Sequence, residues 1–364
     1  MQFINIVNKG VKTLSPYQAG KPIEELEREL GISNIIKLAS NENPFGFPES
    51  AKQAILAQLN DLTRYPDANG FYLKEVIAKK FGVNLNQITL GNGSNDLLEL
   101  IAHTFATEQD EIIFSQYAFI VYPLVSQAIN AKSVVIPAKD YGHNLEAFLQ
   151  AITPKTKLIY IANPNNPTGT FLTHKQIADF LAKVPEQVIV MLDEAYTEFT
   201  DKDKRVDAFQ LLQKHDNLVI CRTLSKAYGL AGLRIGYAVS HPEIADLFNR
   251  VRQPFNCNSL ALAAAIAVMQ DDAFVEKVAE NNRLEMARYE QFFQQHGLDY
   301  IPSKGNFITV DLKQPALPIY EKLLHEGVIV RPIAGYGLPN HLRISIGLPE
   351  ENERFFEALV NILK

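Results

Sequence analysis

Seven short runs of apolar residues, separated by helical stretches, constrain the fold of this 364-residue chain more than any other feature. Each run is almost continuously apolar, whereas a strand with one solvated face would alternate apolar and polar residues. Such runs are typical of strands that helices cover on both faces, as in parallel sheets. We therefore predict an α/β fold with a mostly parallel, doubly wound sheet. The predicted strands are 87–90, 111–114, 133–136, 158–162, 188–192, 218–221 and 235–239.

The pattern changes after residue 241, where longer helical segments follow one another. These segments indicate a connection into a smaller C-terminal α+β domain. Its predicted helices are 243–251, 260–295, 317–326 and 350–364, and its predicted strands are 306–312, 328–332 and 341–346. The length of the chain favours two domains over one. We divide it into an N-terminal arm over 1–30 with a helix at 22–30, a large domain over 31–241, and a small domain over 242–364 that includes a long connecting helix.

The composition excludes several classes of function. The chain has 35 Lys and Arg against 41 Asp and Glu, and this net charge of −6 gives little non-specific attraction for a nucleic acid. The first ten residues lack the basic start and apolar core of a secretory signal, and no apolar run approaches the ~18 residues that cross a bilayer. Two cysteines, Cys221 and Cys257, cannot build a disulfide framework. We expect a cytoplasmic protein that binds neither nucleic acid nor a membrane, and we predict no metal site.

Ligands of open α/β sheets bind beyond the carboxyl ends of the strands, and polar residues follow four of the predicted strands. After the first of these, Ser94 and Asn95 open a helix behind two glycines. Backbone amides at such a helix N-terminus favour an anion, so this segment predicts a phosphate site. The same residues would also serve as an ordinary helix cap. The dinucleotide fingerprint fails here, because Asp96 stands where a third glycine is needed.

An amide and a carboxylate follow the strands at 158–162 and 188–192. In the loop 163–169 (NPNNPTG), two prolines restrict the backbone and can present Asn166 inward. Asp193 stands at the tip of a buried strand, with Tyr196 three residues later. Burial would raise the pKa of this carboxyl unless a cation faces it. A structural carboxylate paired with a nearby Lys or Arg is the alternative interpretation.

A lysine among small and hydroxyl residues follows the strand at 218–221. Lys226 lies in the segment TLSKAYG, and Arg234 stands eight positions later. A lysine that is partly desolvated beside another cation has a lowered amine pKa and attacks aldehydes, which indicates Schiff-base chemistry. Most lysines are surface residues, so Lys226 alone is a weak signal. An amine, a carboxylate, an amide, a phenol and two phosphate-binding segments together form the set that pyridoxal phosphate needs.

Through these motifs the chain resembles the fold-type-I aminotransferases that depend on pyridoxal phosphate. The resemblance extends over nearly the whole chain and rests on the segments 165–169, 193–196 and 225–234. Within that superfamily, three further segments look like those of histidinol-phosphate aminotransferases. They are 15–22 (SPYQAGKP), 39–46 (ASNENPFG) and 64–67 (RYPD).

The resemblance implies a role for each candidate residue around the cofactor. Lys226 would hold the cofactor as a Schiff base and carry the proton between the substrate Cα and the cofactor. Asp193 would keep the pyridine nitrogen protonated, while Asn166 and Tyr196 would hydrogen-bond the phenolate oxygen of the ring. Phosphate binding would fall to Ser94, Asn95, Thr223, Ser225 and Arg234, with Tyr65 of the partner subunit in a homodimer whose interface holds the site. Tyr117 would stack on the ring, with Phe119 as the alternative, although either could be an ordinary core aromatic residue.

By the same resemblance, Arg343, Arg331 and Tyr17 of the arm would bind the substrate. Glutamate carries a carboxylate on its Cα and histidinol phosphate carries a phosphomethyl group there, so paired arginines could bind both anions in alternate half-reactions. The implied reaction is a ping-pong transfer of the amino group between L-histidinol phosphate and 2-oxoglutarate in histidine biosynthesis. Each arginine could instead be a surface charge at a strand edge.

Three other functions remain open at this point. A pocket shaped for an imidazole could accept a phenyl ring, which makes an aromatic amino-acid aminotransferase the nearest alternative. A threonine-phosphate decarboxylase has a similar fold. The same fold also occurs as the effector-sensing domain of transcription regulators, but the ~30 residues before the predicted domain leave no room for a helix-turn-helix module.

Overall fold

The computed structural model describes residues 2–16 and 20–364, and the strands within them form three sheets. The strands are β1 (Ile36–Lys37), β2 (Ile88–Gly91), β3 (Glu111–Ser115), β4 (Lys132–Ile136), β5 (Thr156–Ala162), β6 (Ile189–Asp193), β7 (Leu218–Thr223), β8 (Gly236–Val239), β9 (Asp299–Ile301), β10 (Phe307–Asp311), β11 (Val328–Ile329), β12 (Arg331–Pro332) and β13 (His341–Ser345).

Helices separate most of these strands, as the apolar pattern predicts. They are α1 (Ile23–Leu30), α2 (Glu49–Gln58), α3 (Phe71–Phe81), α4 (Ser94–Phe105), α5 (Val121–Ala128), α6 (Leu145–Gln150), α7 (His174–Leu181), α8 (Ala208–Leu212), α9 (Pro242–Val251), α10 (Ser259–Met269), α11 (Asp272–Gln295), α12 (Ala316–His325) and α13 (Pro349–Leu363). In the part of the chain that the structure describes, no helix is long and apolar enough to span a membrane.

The large sheet has seven strands in the order β2-β8-β7-β6-β5-β3-β4. Neighbouring strands from β7 to β4 pair in parallel, and β8 pairs antiparallel with both β2 and β7. All seven predicted strands are present to within two residues at each end, and the mostly parallel sheet is confirmed. The carboxyl ends of β5, β6 and β7 therefore lie side by side at one edge of the sheet.

Both faces of this sheet are buried, which explains why its strands are apolar without alternation. Along β6, Ile189 and Met191 pack in a core with residues of α4, α5 and α9. The intervening Val190 and Leu192 pack on the opposite face, in a core with residues of α3, α7 and α10. The sheet is thus covered by helices on both sides, as in a doubly wound fold.

The C-terminal part contains an antiparallel sheet in the order β12-β13-β10-β9, and residues of α11, α12 and α13 pack with it in a separate core. The prediction of one strand over 328–332 is wrong, because β11 pairs in parallel with β1 whereas β12 pairs with β13. The predicted helix over 260–295 is interrupted after α10, where the Asp271 side chain accepts a hydrogen bond from the backbone N–H of Phe274 and caps α11. The division into arm, large domain and small domain stays a prediction.

Candidate active site

A cavity of about 270 Å³ lies at the carboxyl ends of β5, β6 and β7 and extends to the antiparallel sheet. Most of the candidate residues, although distant in sequence, line this one cavity. They are Ser94, Asn95, Asn166, Asp193, Tyr196, Thr223, Ser225, Lys226, Arg234, Arg331 and Arg343.

Two candidate aromatic residues, Tyr117 and Tyr65, stand apart from this set. The ring of Tyr117 stacks on Tyr141 with centroids 5.9 Å apart and does not line the cavity, whereas Phe119 does. Which of the two rings would stack on a cofactor stays a prediction. Tyr65 is 81% exposed and stacks on Phe255, outside the cavity of its own chain, so its action in a partner's site stays a prediction. Tyr17 lies outside the described residues.

The amine of Lys226 lies inside the cavity, following the end of β7. Its Nζ donates a hydrogen bond to the backbone carbonyl oxygen of Ser40 at 3.0 Å. Burial, assisted by the positive charge of Arg343, lowers the pKa of Lys226 to about 8. A substantial fraction of this amine is therefore neutral near physiological pH, as a nucleophile for an aldehyde must be.

The carboxylate of Asp193 is buried at the end of β6 with neutral donors. Its Oδ2 accepts a hydrogen bond from the Tyr122 hydroxyl at 2.7 Å, and its Oδ1 accepts one from the backbone N–H of Ala195 at 3.2 Å. Burial raises the pKa of Asp193 to about 6, although both donors oppose this shift. Neither donor carries a positive charge, so a cationic N–H placed in the cavity would stabilise the ionised carboxylate.

Two amide groups converge on the hydroxyl of Tyr196. Asn166 and Asn41 each donate an Nδ2–H to its oxygen, at 3.1 Å and 3.0 Å. Burial raises the pKa of Tyr196 to about 12, so the hydroxyl is protonated and retains a hydrogen to donate. A ring oxygen placed in the cavity would have a phenol and an amide nearby as hydrogen-bond donors.

The N-terminus of α4 and the Arg234 side chain form a cradle for an anion. The N-cap is Gly93, with φ of 81°, and a Cβ at this position would lie 2.6 Å from Nη2 of Arg234. Only glycine therefore lets the guanidinium approach the first turn of the helix. Ser225 Oγ accepts from Nη1 of Arg234 at 3.5 Å, and Thr223 Oγ1 accepts from the backbone N–H of Ser225 at 3.1 Å. This set of donors fits a phosphate dianion.

Two arginines face the cavity from the antiparallel sheet. Arg331 of β12 and Arg343 of β13 are directly paired across these strands, and both line the cavity. The Arg343 guanidinium donates to Oδ1 of Asn166 at 2.6 Å and to the carbonyl oxygen of Ala39 at 2.8 Å. Two cations side by side suit the anionic group of a substrate.

The segment 39–46 makes contacts in the site for which none of its residues was a candidate. Beyond Ser40 and Asn41, the Asn43 Nδ2 donates to the carbonyl oxygen of Ala227 at 2.9 Å. A Cβ at Gly229 would lie only 1.9 Å from the carbonyl oxygen of Gly46, so the two backbones touch here. The segment was noted as a subfamily motif, and that motif was the one signal for these contacts. Tyr122 gave no signal, because it lies within a helix and not at the end of a predicted strand.

Comparison with known proteins gives a family and close relatives. The sequence matches the family model for aminotransferase class I and II over residues 33–359. It is 78% identical over 364 residues to histidinol-phosphate aminotransferase 2 of Haemophilus influenzae (strain 86-028NP), with 100% of both chains covered. It is 77% identical over 363 residues to histidinol-phosphate aminotransferase 2 of Pasteurella multocida (strain Pm70), again with 100% of both covered.

A solved structure supports the same relationship in three dimensions. The fold is similar to the crystal structure of histidinol-phosphate aminotransferase from Sinorhizobium meliloti in complex with pyridoxal-5'-phosphate, with a TM-score of 0.89 and 28% sequence identity. The match covers 98% of this chain and 97% of that chain.

Proposed function

The chain belongs to the class I and II aminotransferases, and we propose that it transfers the amino group between L-histidinol phosphate and 2-oxoglutarate, giving imidazole acetol phosphate and L-glutamate. One observation carries the proposal: Lys226, Asp193, Tyr196 and the Arg234 cradle line a single cavity together with two arginines that suit an anionic substrate. Identity of 78% over the full length to a histidinol-phosphate aminotransferase supports this choice of substrate.

Pyridoxal phosphate is the cofactor, and when bound it supplies an aldehyde that condenses with amines and a cationic ring that accepts electrons. The residues of this chain would bind and orient it. The α4 N-terminus and Arg234 would hold its phosphate, and the Asp193 carboxylate would accept the ring N–H. Asn166 and Tyr196 would donate to the ring oxygen.

Lys226 is the residue that transfers protons in the proposed reaction. Its neutral amine would hold the cofactor through the aldehyde carbon, and in the presence of substrate it would accept the proton from the substrate Cα and return it. A pKa of about 8 suits both tasks, because the amine accepts and returns a proton near physiological pH. Arg331 and Arg343 hold the anionic group of either substrate, which places the Cα near this amine.

We also propose a cytoplasmic homodimer. Tyr65 is 81% exposed, and Tyr72, Leu62 and Phe255 near it in sequence or space are also exposed. A second copy that covers this apolar surface would bring Tyr65 toward the cofactor phosphate of its partner.

A half-reaction screen tests the proposed substrate. The holoenzyme is mixed with one amino donor at a time, and loss of the visible absorbance of the lysine-bound cofactor reports each transfer. L-Histidinol phosphate and L-glutamate should react, and L-phenylalanine and L-tyrosine should react much more slowly. A faster reaction with an aromatic amino acid would reassign the enzyme to that substrate class, and release of carbon dioxide from threonine phosphate would indicate a decarboxylase.

The arginine pair is tested in the same assay. Arg343→Ala should weaken both anionic donors while the cofactor stays bound. The matched control is Arg288→Ala, because Arg288 pairs with Glu285 and Glu353 away from the cavity. Loss of cofactor with unchanged donor affinity would contradict the role of Arg343.

A further inference from the structure

The hydroxyl of Tyr196 is constrained by the two amides that donate to it. A phenolic oxygen accepts two hydrogen bonds and donates one. The Nδ2–H groups of Asn41 and Asn166, at 3.0 Å and 3.1 Å, occupy the accepting directions. The hydroxyl hydrogen must therefore point elsewhere, and Tyr196 lines the cavity.

The contacts of Arg343 and Ser345 indicate that each amide presents its N–H, and not its carbonyl, to Tyr196. Arg343 has only donors, so the Oδ1 of Asn166 faces Arg343 and the Nδ2 faces Tyr196. Beside Asn41, the Ser345 hydroxyl accepts from the backbone N–H of Asn41 and donates to its Oδ1 at 3.0 Å, which leaves the Nδ2 to face Tyr196. Arg343 and Ser345 are two positions apart on β13 and share one face of that strand.

We propose that Asn41, oriented by Ser345, is a positioning residue that directs the hydroxyl hydrogen of Tyr196 into the cavity, toward the ring oxygen of the cofactor. The inference rests on the proposed role of Tyr196 and extends it to two residues without an assigned function. Asn41 acts only through Tyr196, and Ser345 acts only through Asn41.

The backbone of Asn41 is held separately from its side chain. Its N–H donates to Ser345 Oγ at 2.8 Å, and its carbonyl oxygen accepts from Asn306 Nδ2 at 3.0 Å. Its φ of 54° lies in the left-handed region, which asparagine and glycine tolerate better than other residues. Asn306 thus offers a control that disturbs the anchoring of this segment without touching the amide that faces Tyr196.

Loss of the Asn41 amide donor changes where the Tyr196 hydroxyl can donate its hydrogen bond. Without Asn41, or with its amide reversed, the Tyr196 hydroxyl has another direction for its hydrogen and no longer donates solely to the ring oxygen. The negative charge on the ring oxygen of the cofactor is then less stabilised. The Lys226 nitrogen that holds the cofactor shares a proton with this oxygen, so that nitrogen becomes more basic. The visible absorbance of the holoenzyme reports this basicity directly, without turnover.

The test is a pH titration of the visible absorbance of four holoenzyme variants. Asn41→Gly removes the amide and suits the left-handed backbone, and Ser345→Ala removes the group that orients it. Each should move the titration midpoint upward by roughly 0.5–1 pH unit, in line with the modest worth of one hydrogen bond. Tyr196→Phe should move it further in the same direction. Asn306→Ala should lower the thermal midpoint and leave the spectral midpoint in place.

Two comparisons decide the matter. Ser345→Thr retains a hydroxyl and should restore the wild-type midpoint, and Asn41→Gly in the Tyr196→Phe background should add no further displacement. If Tyr196→Phe moves the midpoint while Asn41→Gly and Ser345→Ala do not, the inference is overturned and the role of Tyr196 stands. If Tyr196→Phe leaves the midpoint unchanged, the assigned role of Tyr196 fails and the inference fails with it.

Discussion

Asp193 and Glu194 are neighbours in the chain, yet they lie in regions that balance buried charge differently. Oε2 of Glu194 accepts a hydrogen bond from Nε of Arg222 at 2.9 Å and lies 2.8 Å from its Nη2 in an ion pair, and the guanidinium lies about 5 Å from the ring centres of Phe81 and Phe209. Asp193 faces the cavity and receives hydrogen bonds from a phenol and a backbone amide.

The difference separates a region that the chain completes by itself from one that a ligand completes. A buried carboxylate beside an arginine is neutralised within the protein, so the Arg222 region is structural. In the cavity, burial raises the pKa of Asp193 and lowers that of Lys226. Burial disfavours both charged forms, and a partner of opposite charge in the cavity would stabilise them. Substitutions in the two regions should therefore have opposite effects on stability.

Lys226→Ala should have the largest effect. It removes the amine that attacks the aldehyde and moves the Cα proton, so turnover should fall by about 10⁴-fold or more. The visible absorbance of the lysine-bound cofactor should disappear, and steady-state assays together with absorbance spectra measure both. Lys175→Ala, in an exposed pair with Asp179, is the control and should behave as the wild type. Full activity of Lys226→Ala would contradict the assignment of the cavity.

Arg222→Met should have the largest effect on stability. It leaves Glu194 buried without its cation, which should cost about 3–5 kcal/mol in the free energy of unfolding. Urea denaturation of the cofactor-free chain measures this loss. Replacing both partners, with Arg222→Met and Glu194→Leu together, should recover most of it, since no charge is then stranded. A loss below about 1 kcal/mol in the single variant would remove the distinction between the regions.

Asp193→Asn should change stability in the opposite direction. The native pKa of about 6 lies above the ordinary value of 3.8, so the folded chain binds more protons than the unfolded chain between these values. Stability of the cofactor-free protein therefore falls as pH rises through this range. Above pH 6 the neutral variant should be more stable than the wild type by about 1–3 kcal/mol, and the gap should narrow toward pH 5.

Urea denaturation at pH 5 and pH 8 measures this difference. Glu194→Gln, one residue later, is the matched control and should lower stability at pH 8, because it strands Arg222. A loss of stability in both variants at pH 8 would show that the cavity carboxylate is also structural.

The smallest expected effect is a pH dependence of cofactor uptake. With a pKa of about 8, the neutral fraction of the Lys226 amine rises roughly tenfold between pH 7 and pH 9. The initial rate at which the cofactor-free chain takes up pyridoxal phosphate should rise over this range and level off above it. Arg343→Gln removes a nearby cation and should move the midpoint upward. A rate that continues to climb beyond pH 10 would indicate an ordinary, solvated lysine.

Elements and residues whose position a local sequence pattern determines were predictable. The strands of the large sheet were predictable because burial on both faces makes each of them continuously apolar. Asp193 and Lys226 were predictable because polar residues at the ends of such strands share one edge of the sheet. The strands β1 and β9 were not predicted, because elements of two and three residues are too short to show a periodicity.

The rest of the site depends on contacts between distant segments. Tyr122 reaches Asp193 from α5, and Asn41 reaches Tyr196 from a position 155 residues earlier. Nothing in the local sequence of either residue specifies its partner. The contact of Tyr117 with Tyr141 was not predictable for the same reason, and the choice between Tyr117 and Phe119 stays a prediction.

The contact between Gly229 and Gly46 has a consequence for attempts to redesign this enzyme. With no room for even one methyl carbon there, a mutagenesis library that randomises the turn after Lys226 would yield mostly inactive clones wherever position 229 varied. Changes in donor preference are better sought in the cavity wall around Arg331 and Phe119. In directed evolution, the glycine should be held fixed.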